Sequence, residues 1–264
     1  MLSKENIIKN INTKVLGRNV EYMYETDSTN EQIKRMASEG MDGLLVVADA
    51  QNKGKGRLGR NWDSPHGDNI YMSFLIKENI SPAKAPMITI IAAMAVLEAV
   101  KKYIDEVYIK WPNDIVVNGK KICGILTEMK TKSEVTEYVV VGIGINVNTK
   151  SFADDIKDKA TSLYIETGKI ADRAEITGRV MNAFEKYFEI FMREGSLRLL
   201  VDEYNNNLIN INRRVEVQEN GSKYTATALG IDENGELLIR PDGDENVKKV
   251  MSGEVSVRGV YGYV

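Results

Sequence analysis

Three short segments hold residue types that could bind and activate a negatively charged substrate. The first segment, Lys53 to Arg60, contains four cations, three glycines and one leucine. Its glycines allow the backbone to approach a ligand closely, while Arg57 and Arg60 can each donate paired hydrogen bonds to phosphate oxygens. Trp62 follows, where it could cover a ligand and exclude water. This composition favours a loop that closes over a polyanion, and a solvated basic loop is the alternative.

A dinucleotide-binding loop is another interpretation of the same glycines. Gly54, Gly56 and Gly59 have the Gly-x-Gly-x-x-Gly spacing and follow a strand-like apolar run. That fingerprint needs a helix to begin at its last glycine, because the helix N-terminus holds the pyrophosphate. The chain continues here with Pro65 and Gly67, which disfavour a long helix. The Gly-x4-Gly-Lys-Ser/Thr pattern of a P-loop is absent from the sequence as well.

The second segment is KWPND at 110–114, followed by an Asn-Gly turn at 118–119 and by KKICGILTE at 120–128. Asn-Gly is a strong signal for a tight β-hairpin. A cation, a large ring and a carboxylate thus come together at the end of a strand, where functional residues tend to gather. Lys110 and Lys121 flank the hairpin, so both could reach one place. Lysines beside such a turn are otherwise simply solvated.

The third segment is DSTN at 27–30. Ser28 and Glu31 have the spacing of a capping box, which predicts a helix that begins here. Hydroxyl and amide groups at this position mainly cap the helix. Groups that are not used as caps could recognise a small polar ligand.

The composition limits the classes of chemistry. The chain has 264 residues, of which 43% are hydrophobic and 28% charged, and a formal net charge of −3. These values are typical of a globular protein and argue against one that coats nucleic acid or an anionic membrane. Cys123 is the only cysteine and His66 the only histidine, which excludes a disulfide framework and a Cys/His zinc site, and we expect no metal site. A catalytic triad would need His66, whose turn-like surroundings favour an exposed loop histidine instead.

The N-terminal residues and the hydropathy pattern predict a cytoplasmic protein without a membrane segment. The segment MLSKENIIKN lacks the apolar run of a signal peptide. We also expect no stretch with the ~18 apolar residues of a membrane span.

Periodicity predicts the elements that position these segments. Predicted helices cover residues 3–13, from Ser28 to a stop at Gly40, from Pro82 to about Lys102, 174–193 and 196–207. Predicted strands cover 20–24, 44–48, 69–76, 107–110, 115–117, 121–129 and 138–146. After Asn212, short alternating strands separated by Asn-Gly and Asp-Gly turns predict a small β module. We therefore expect two domains, at residues 1–212 and 213–264.

Taken in order, DSTN, GKGRLGRNW at 54–62, KWPNDI, KKICGILTE and GIGINVN at 142–148 resemble the motifs of the biotin–protein ligases, and the likeness covers roughly residues 20–264. It implies an α+β fold in which helices flank a mixed β-sheet, related to the lipoyl ligases and class II synthetases. A small SH3-like β-barrel would follow at the C-terminus. The implied enzyme is an ATP-dependent ligase that forms biotinyl-5'-AMP and diphosphate, then transfers biotin to a lysine.

The resemblance also implies residue roles. The biotin-binding residues would be Ser28, Thr29, Asn30, Gln51, Lys55, Gly56, Arg57, Lys121 and Gly124. The residues that bind ATP or the adenylate would be Arg57, Arg60, Trp62, Lys110 and Asn146. The catalytic residues would be Lys121, Arg57, Lys110 and Asp114. Within these sets, Lys121 would contact the biotin carboxylate and Asn146 the adenine, while Lys55 replaces a more usual arginine.

Biotin and ATP with Mg²⁺ are the expected substrates, and the expected partner is a biotin carboxyl carrier protein domain of a biotin-dependent carboxylase. Fewer than thirty residues precede Ser28, so we expect a monofunctional ligase without the DNA-binding domain of repressor members. A homodimer is compatible with the resemblance. Two alternatives stay open: a lipoyl or octanoyl ligase of related fold, and an RNA-binding protein, which would need a more basic chain with exposed aromatics among its cations.

Overall fold

The computed structural model describes residues 2–37, 41, 43–132, 135–219, 222–252, 255–259 and 264. The helices are α1 (Lys4–Asn10), α2 (Thr29–Met36), α3 (Ala85–Val100), α4 (Leu163–Thr167), α5 (Arg173–Glu194) and α6 (Val201–Asn206). The first seven strands are β1 (Asn19–Met23), β2 (Leu44–Ala48), β3 (Ile70–Ile76), β4 (Val107–Lys110), β5 (Asp114–Val117), β6 (Lys120–Lys132) and β7 (Val135–Ile145). The remaining strands are β8 (Arg214–Glu219), β9 (Ser222–Ile231), β10 (Leu237–Pro241), β11 (Lys248–Val250) and β12 (Val255–Gly259).

A seven-stranded mixed sheet lies at the centre, in the order β1-β2-β3-β7-β6-β5-β4. Strands β1 and β2 are parallel, and the other neighbouring strands are antiparallel. Helices α1, α3 and α5 pack together on one face, while α2 packs on β2, β3 and β7 from the other face. The predicted mixed sheet flanked by helices is therefore confirmed.

Alternating side chains separate the two faces of this sheet. On β2, Leu45 and Val47 belong to the main core under α3 and α5, whereas Leu44 and Val46 pack with Ile33 of α2. This period of two arises because consecutive strand residues point to opposite faces. The residues of β3, β6 and β7 that lie between main-core positions therefore belong to the α2 face.

Small and polar residues occupy the α2 face at the middle of the sheet. Ser73 of β3 pairs with Gly142 of β7, and Gly142 pairs with Leu126 of β6. In the neighbouring row, Gly144 pairs with Gly124. Glycines in adjacent strands leave the sheet surface bare and let other groups approach the backbone closely. The α2 face thus contains a shallow depression above β6 and β7.

The C-terminal strands form a second, antiparallel sheet in the order β11-β10-β9-β8-β12. Its buried residues, among them Val215, Val217, Ala226 and Ala228, are continuous with the main hydrophobic core. The predicted small C-terminal β module is confirmed as this sheet. The predicted domain boundary between residues 212 and 213 stays a prediction.

Two predicted helix features differ from the observed ones. Ser28 occupies the N-cap of α2, but its hydroxyl makes no capping hydrogen bond, and Glu31 pairs with Lys34 and Lys55 instead. The capping box is therefore wrong, since Glu31 is recruited by two lysines. The helix predicted over 196–207 is shorter, and only α6 is α-helical there. The predicted stop at Gly40 lies outside the described residues.

One helical segment, Pro82–Val100, is long and apolar enough to cross a membrane by length and composition, although the sequence predicted none. Its apolar window is 72% buried inside the protein. The segment contains α3, which packs against α5 and β6. Its apolar composition is thus accounted for by its place in the core.

Candidate active site

A cavity of about 50 Å³ lies on the α2 face of the central sheet, above the depression. All of the predicted biotin-binding residues line this cavity, and Trp62 lines it with them. They come from the start of α2, the segment after β2, the glycine-rich loop and β6. The structure therefore brings together residues that are almost one hundred positions apart in the sequence.

Thr29 and Gln51 form one polar wall of the cavity. The amide oxygen of Gln51 accepts hydrogen bonds from the Thr29 backbone nitrogen at 2.9 Å and from the Thr29 hydroxyl at 3.1 Å. The Gln51 amide nitrogen donates to the Ser64 hydroxyl at 3.0 Å. Both ends of the Gln51 amide are therefore fixed. Ser28 lies beside this wall, and its hydroxyl has no capping role that would compete with a ligand.

Asn30 is buried and is held against the floor of the cavity. Its amide nitrogen donates to Oε2 of Glu128 at 2.7 Å, and its amide oxygen accepts a hydrogen bond from the Ser73 hydroxyl at 2.5 Å. Directly below, a Cβ on Gly142 would lie 2.1 Å from this same oxygen. Asn30 can occupy its position only because residue 142 has no side chain.

The glycine-rich loop folds back on itself over the cavity. Lys55 and Asn61 form an isolated antiparallel bridge, and the Gly56 backbone nitrogen donates to the Arg60 carbonyl oxygen at 2.7 Å. Leu58 turns the chain with a φ of 57°, in the left-handed region that leucine rarely adopts. The loop thus has a hairpin shape of its own. Whether it becomes more ordered when a ligand binds stays a prediction.

Trp62 inserts its indole into the depression. A Cβ on Gly144 would lie 2.5 Å from the indole nitrogen, and one on Gly124 would lie 2.8 Å from the six-membered ring. The indole nitrogen is buried and has no hydrogen-bond partner within the described part of the chain. Ligand pockets usually have volumes of ~300–1,000 Å³, so the cavity of about 50 Å³ is too small for most ligands. Entry of a larger ligand therefore requires side chains around the cavity to move, and the Trp62 indole is the one that we expect to move.

Arg57 and Lys121 bring positive charge to the cavity. Nη1 of Arg57 donates to Oδ1 of Asn113 at 2.8 Å, and the Asn113 amide nitrogen donates to the Ile125 carbonyl oxygen at 2.9 Å. Burial lowers the pKa of Arg57, while the Asp114 carboxylate opposes this effect. An arginine nevertheless stays protonated at neutral pH. Nζ of Lys121 forms an ion pair with Oδ1 of Asp114 at 2.5 Å.

Four predicted site residues do not line this cavity: Lys110, Asp114, Arg60 and Asn146. Lys110 is buried and lies opposite Asp114 across β4 and β5, and Asp114 forms the ion pair with Lys121. Arg60 is exposed near the outer end of the loop. The Asn146 amide nitrogen donates to the Thr161 carbonyl oxygen at 3.0 Å. Their roles toward ATP stay predictions.

Several residues of the site have no predicted role. Asn113 holds Arg57, Ser73 and Glu128 hold Asn30, and Gly142 and Gly144 form the bare floor. The spacing of Gly142 and Gly144 could have been recognised in the sequence, because two glycines separated by one residue on a buried strand leave the same face of the sheet without side chains. Ser73 and Glu128 carried no such signal, since only the pairing register places them under α2.

A second cavity of about 270 Å³ adjoins the first. Arg57, Asn113 and Ile125 line both cavities. The rest of its lining comes from the segment at the start of α3, from Pro112 between β4 and β5, from β6 and from Ser252. Arg57 therefore lies at the boundary between the two cavities.

His66 lies outside both cavities. Its Nδ1 lies 3.2 Å from Oδ2 of Asp49, its Nε2 lies 3.1 Å from Oε2 of Glu25, and its ring stacks on Tyr24. Both ring nitrogens thus face carboxylates, an arrangement that differs from a nucleophilic triad. Among the residues that the structure describes, no group of three or more His, Cys, Asp or Glu side chains could hold a metal ion.

Comparison with protein families matches two parts of the chain. Residues 22–146 match the model of the biotin/lipoate A/B protein ligase family. Residues 211–258 match the model of the biotin protein ligase C terminal domain.

Relatives and solved structures agree with these matches. The bifunctional ligase/repressor BirA of Bacillus spizizenii is 36% identical over 97% of this chain and 79% of that protein. The biotin–acetyl-CoA-carboxylase ligase of Mycobacterium tuberculosis is 31% identical over 90% of this chain and 88% of that protein. The biotin protein ligase from Aquifex aeolicus in complex with biotin and ATP has a TM-score of 0.80 at 32% identity, over 92% of this chain and 99% of the other. The chain therefore belongs to the biotin protein ligase family.

Proposed function

We propose that this member of the biotin protein ligase family joins biotin to ATP, giving biotinyl-5'-AMP and diphosphate, and then transfers the biotinyl group to a lysine of a biotin carboxyl carrier protein domain. As a family member the chain is a biotin ligase, and biotin and ATP are its substrates. One observation supports the two-step reaction best. The glycine-rich loop closes over a cavity that combines a neutral polar wall, a bare glycine floor and three cations, Lys55, Arg57 and Lys121.

The polar wall suits the ureido ring of biotin. Ser28, Thr29, Asn30 and Gln51 offer hydroxyl and amide groups around one space. A ureido group has two N–H donors and one carbonyl acceptor, and a buried group of this kind binds tightly only where each is hydrogen-bonded. The bare floor at Gly124 allows a fused ring to lie directly on the sheet.

Two of these cations, Arg57 and Lys121, suit the chemistry of the first step. A carboxylate oxygen of biotin must attack the α-phosphorus of ATP, and diphosphate leaves as that bond forms. Both reactants are anions, so fixed positive charge is needed to offset their repulsion and to stabilise the transition state. Lys121 at the cavity wall is proposed to contact the carboxylate, and Arg57 the phosphate. Lys110 and Asp114 are proposed to lie near the reacting phosphate with its Mg²⁺.

The second step needs protection from water. The amine of the acceptor lysine attacks the acyl carbon, the bond to AMP breaks, and the amine loses a proton. Water would hydrolyse the mixed anhydride if it reached the same carbon. A loop that covers the intermediate prevents this loss. Arg57 is proposed to hold the loop closed on the adenylate, Arg60 and Trp62 to help bind it, and Asn146 to contact adenine.

Mass spectrometry tests the proposal directly. The protein is incubated with biotin, ATP and Mg²⁺, and the bound fraction is searched for biotinyl-AMP. Addition of a purified carrier domain should then raise the mass of that domain by one biotinyl group. Lipoate at equal concentration is the control for a lipoyl ligase. Formation of lipoyl-AMP with no biotinyl-AMP would overturn the proposal.

We also propose that the chain acts in the cytoplasm without binding nucleic acid. The net charge of −3 supports the absence of nucleic-acid binding, because binding to a phosphate backbone depends on an excess of cations. A gel-shift titration with DNA and RNA at ~150 mM salt should show no retarded band. A salt-sensitive complex would contradict it and favour the RNA-binding alternative.

A further inference from the structure

The carboxylate of Glu128 is shared by two donors from α2. Its Oε2 accepts a hydrogen bond from the Asn30 amide nitrogen at 2.7 Å, and its Oε1 accepts one from Nζ of Lys34 at 2.7 Å. Burial disfavours the charged form of Lys34, but the bonds to Glu128 and Glu31 outweigh burial and raise its pKa. Both Glu128 oxygens are therefore committed as acceptors.

This carboxylate determines which way the Asn30 amide points. A carboxylate can only accept hydrogen bonds, so the amide end that faces it must be the nitrogen. The Leu126 carbonyl oxygen, 3.4 Å from that nitrogen, imposes the same choice. The Asn30 oxygen is consequently directed at the Ser73 hydroxyl.

The orientation of the Asn30 amide also determines which group can receive the proton of the Thr29 hydroxyl. The Ser73 hydroxyl has one proton and lies 2.5 Å from the Asn30 oxygen and 2.7 Å from the Thr29 hydroxyl. When Ser73 donates to Asn30, the Thr29 hydroxyl must donate to Ser73 or to Gln51, 3.1 Å away. The proton of Thr29 is thereby used within the protein, and its lone pairs are left to accept from a ligand.

We propose that Glu128 is a positioning residue that sets the hydrogen-bond direction Thr29 to Ser73 to Asn30 and so prepares Thr29 to accept a ureido N–H. A reversed Asn30 amide would donate to Ser73, whose proton would then go to the Thr29 hydroxyl. Thr29 would lose acceptor capacity toward the ligand. This inference rests on the proposed function, since it concerns how biotin is recognised.

Lys34 explains why the residue is a carboxylate rather than an amide. Glutamine at position 128 has one oxygen and one NH₂ group, whereas Asn30 and Lys34 both need an acceptor. If the glutamine oxygen faces Lys34, the Asn30 amide must reverse. If the glutamine oxygen faces Asn30, the glutamine NH₂ group faces the Lys34 ammonium, and two hydrogen-bond donors then face each other. Removing Lys34 as well resolves this conflict, because the glutamine oxygen can then serve Asn30 alone.

The experiment is a double-variant cycle read by biotin affinity. Calorimetry and steady-state kinetics compare the wild type with Glu128→Gln, Lys34→Met and the double variant. Glu128→Gln should weaken biotin binding by about tenfold or more, as expected when a buried ureido N–H is left without an acceptor, with kcat at saturating biotin and the KM for ATP changed by about twofold or less. Lys34→Met alone and the double variant should both bind biotin within about threefold of the wild type.

The outcomes separate this inference from the proposed function. Failure of the wild type to bind biotin would overturn the proposed function itself. Wild-type binding by Glu128→Gln, or equal weakening in Glu128→Gln and the double variant, would overturn the positioning role alone. Ser73→Ala provides a second variant if Glu128→Gln does not fold. This change leaves the Thr29 hydroxyl held only by its 3.1 Å bond to Gln51, so biotin binding should weaken while the KM for ATP stays unchanged. Unchanged biotin binding would contradict the proposed relay.

Discussion

Nζ of Lys121 lies 2.5 Å from Oδ1 of Asp114 and 5.2 Å from the centre of the Trp62 ring. The preceding residue, Lys120, instead donates to the carbonyl oxygen of Lys157 at 3.1 Å, on the surface. Neighbouring residues on a strand point to opposite sides, so β6 delivers only one of these two lysines to the cavity. The ion pair with Asp114 holds that lysine in place.

We expect Lys121→Ala to slow adenylate formation by about ten- to a hundredfold, because a charge-assisted bond to the biotin carboxylate is lost. Transfer from pre-made biotinyl-AMP should fall much less, since the carboxylate is already part of the mixed anhydride in that reaction. Single-turnover assays of the two half-reactions measure the difference. Lys120→Ala is the matched control and should leave both rates unchanged. Equal behaviour of the two variants would make Lys121 an ordinary surface residue.

Arg57→Ala should release biotinyl-AMP early. The guanidinium is anchored on Asn113 and stands between the two cavities, where it is proposed to hold both phosphate and loop. Its loss should raise the rate at which the adenylate escapes by about ten- to a hundredfold. A filter-binding assay with labelled adenylate measures this rate. Lys53→Ala, an exposed cation of the same loop that does not line the cavity, should retain the adenylate as the wild type does.

The sequence predicted the parts of the site that depend on local patterns. The apolar run of β2, the hairpin between β5 and β6 and the glycine-rich loop each have a short-range signal. The position of Ser73 and Glu128 under Asn30 depends on the pairing of β3, β7 and β6. A shift of one residue in that register would move both side chains to the other face. Such long-range pairing cannot be read from one segment, so these two residues carried no signal.

Trp62 should report ligand binding by its fluorescence. The chain has two tryptophans, and Trp111 is fixed in the core, where its indole nitrogen donates to the Gly235 carbonyl oxygen at 3.1 Å. The indole of Trp62 occupies space that a ligand needs, so binding of biotin should move it and change the emission. Trp62→Phe should abolish this change while keeping the signal of Trp111. Persistence of the full change in that variant would place the movement elsewhere.

Gly142→Ala and Gly144→Ala should fail in different ways. A Cβ at 142 would lie 2.1 Å from the Asn30 oxygen, which is fixed by Glu128 and Ser73, so Asn30 must leave its position. We expect biotin affinity to fall by about tenfold or more. A Cβ at 144 would lie 2.5 Å from the Trp62 indole, which can swing outward with the loop. Gly144→Ala should therefore raise protease cleavage within residues 53–60, as measured by limited proteolysis, and Gly142→Ala should not.

The two carboxylates around His66 predict a pH-dependent contribution to stability. Hydrogen bonding to Glu25 raises the pKa of His66 above its usual value, burial opposes this, and Asp49 adds to the increase. A raised native pKa stabilises the folded protein fully below the unfolded-state pKa of about 6.5, and this contribution is lost as the pH rises through the native value. His66→Gln should therefore lower the Tm more at about pH 6 than at about pH 9. Because His66 is the only histidine, one imidazole NMR resonance gives its pKa directly. A titration midpoint at or below about 6.5, or an equal loss of Tm at both pH values, would contradict the prediction.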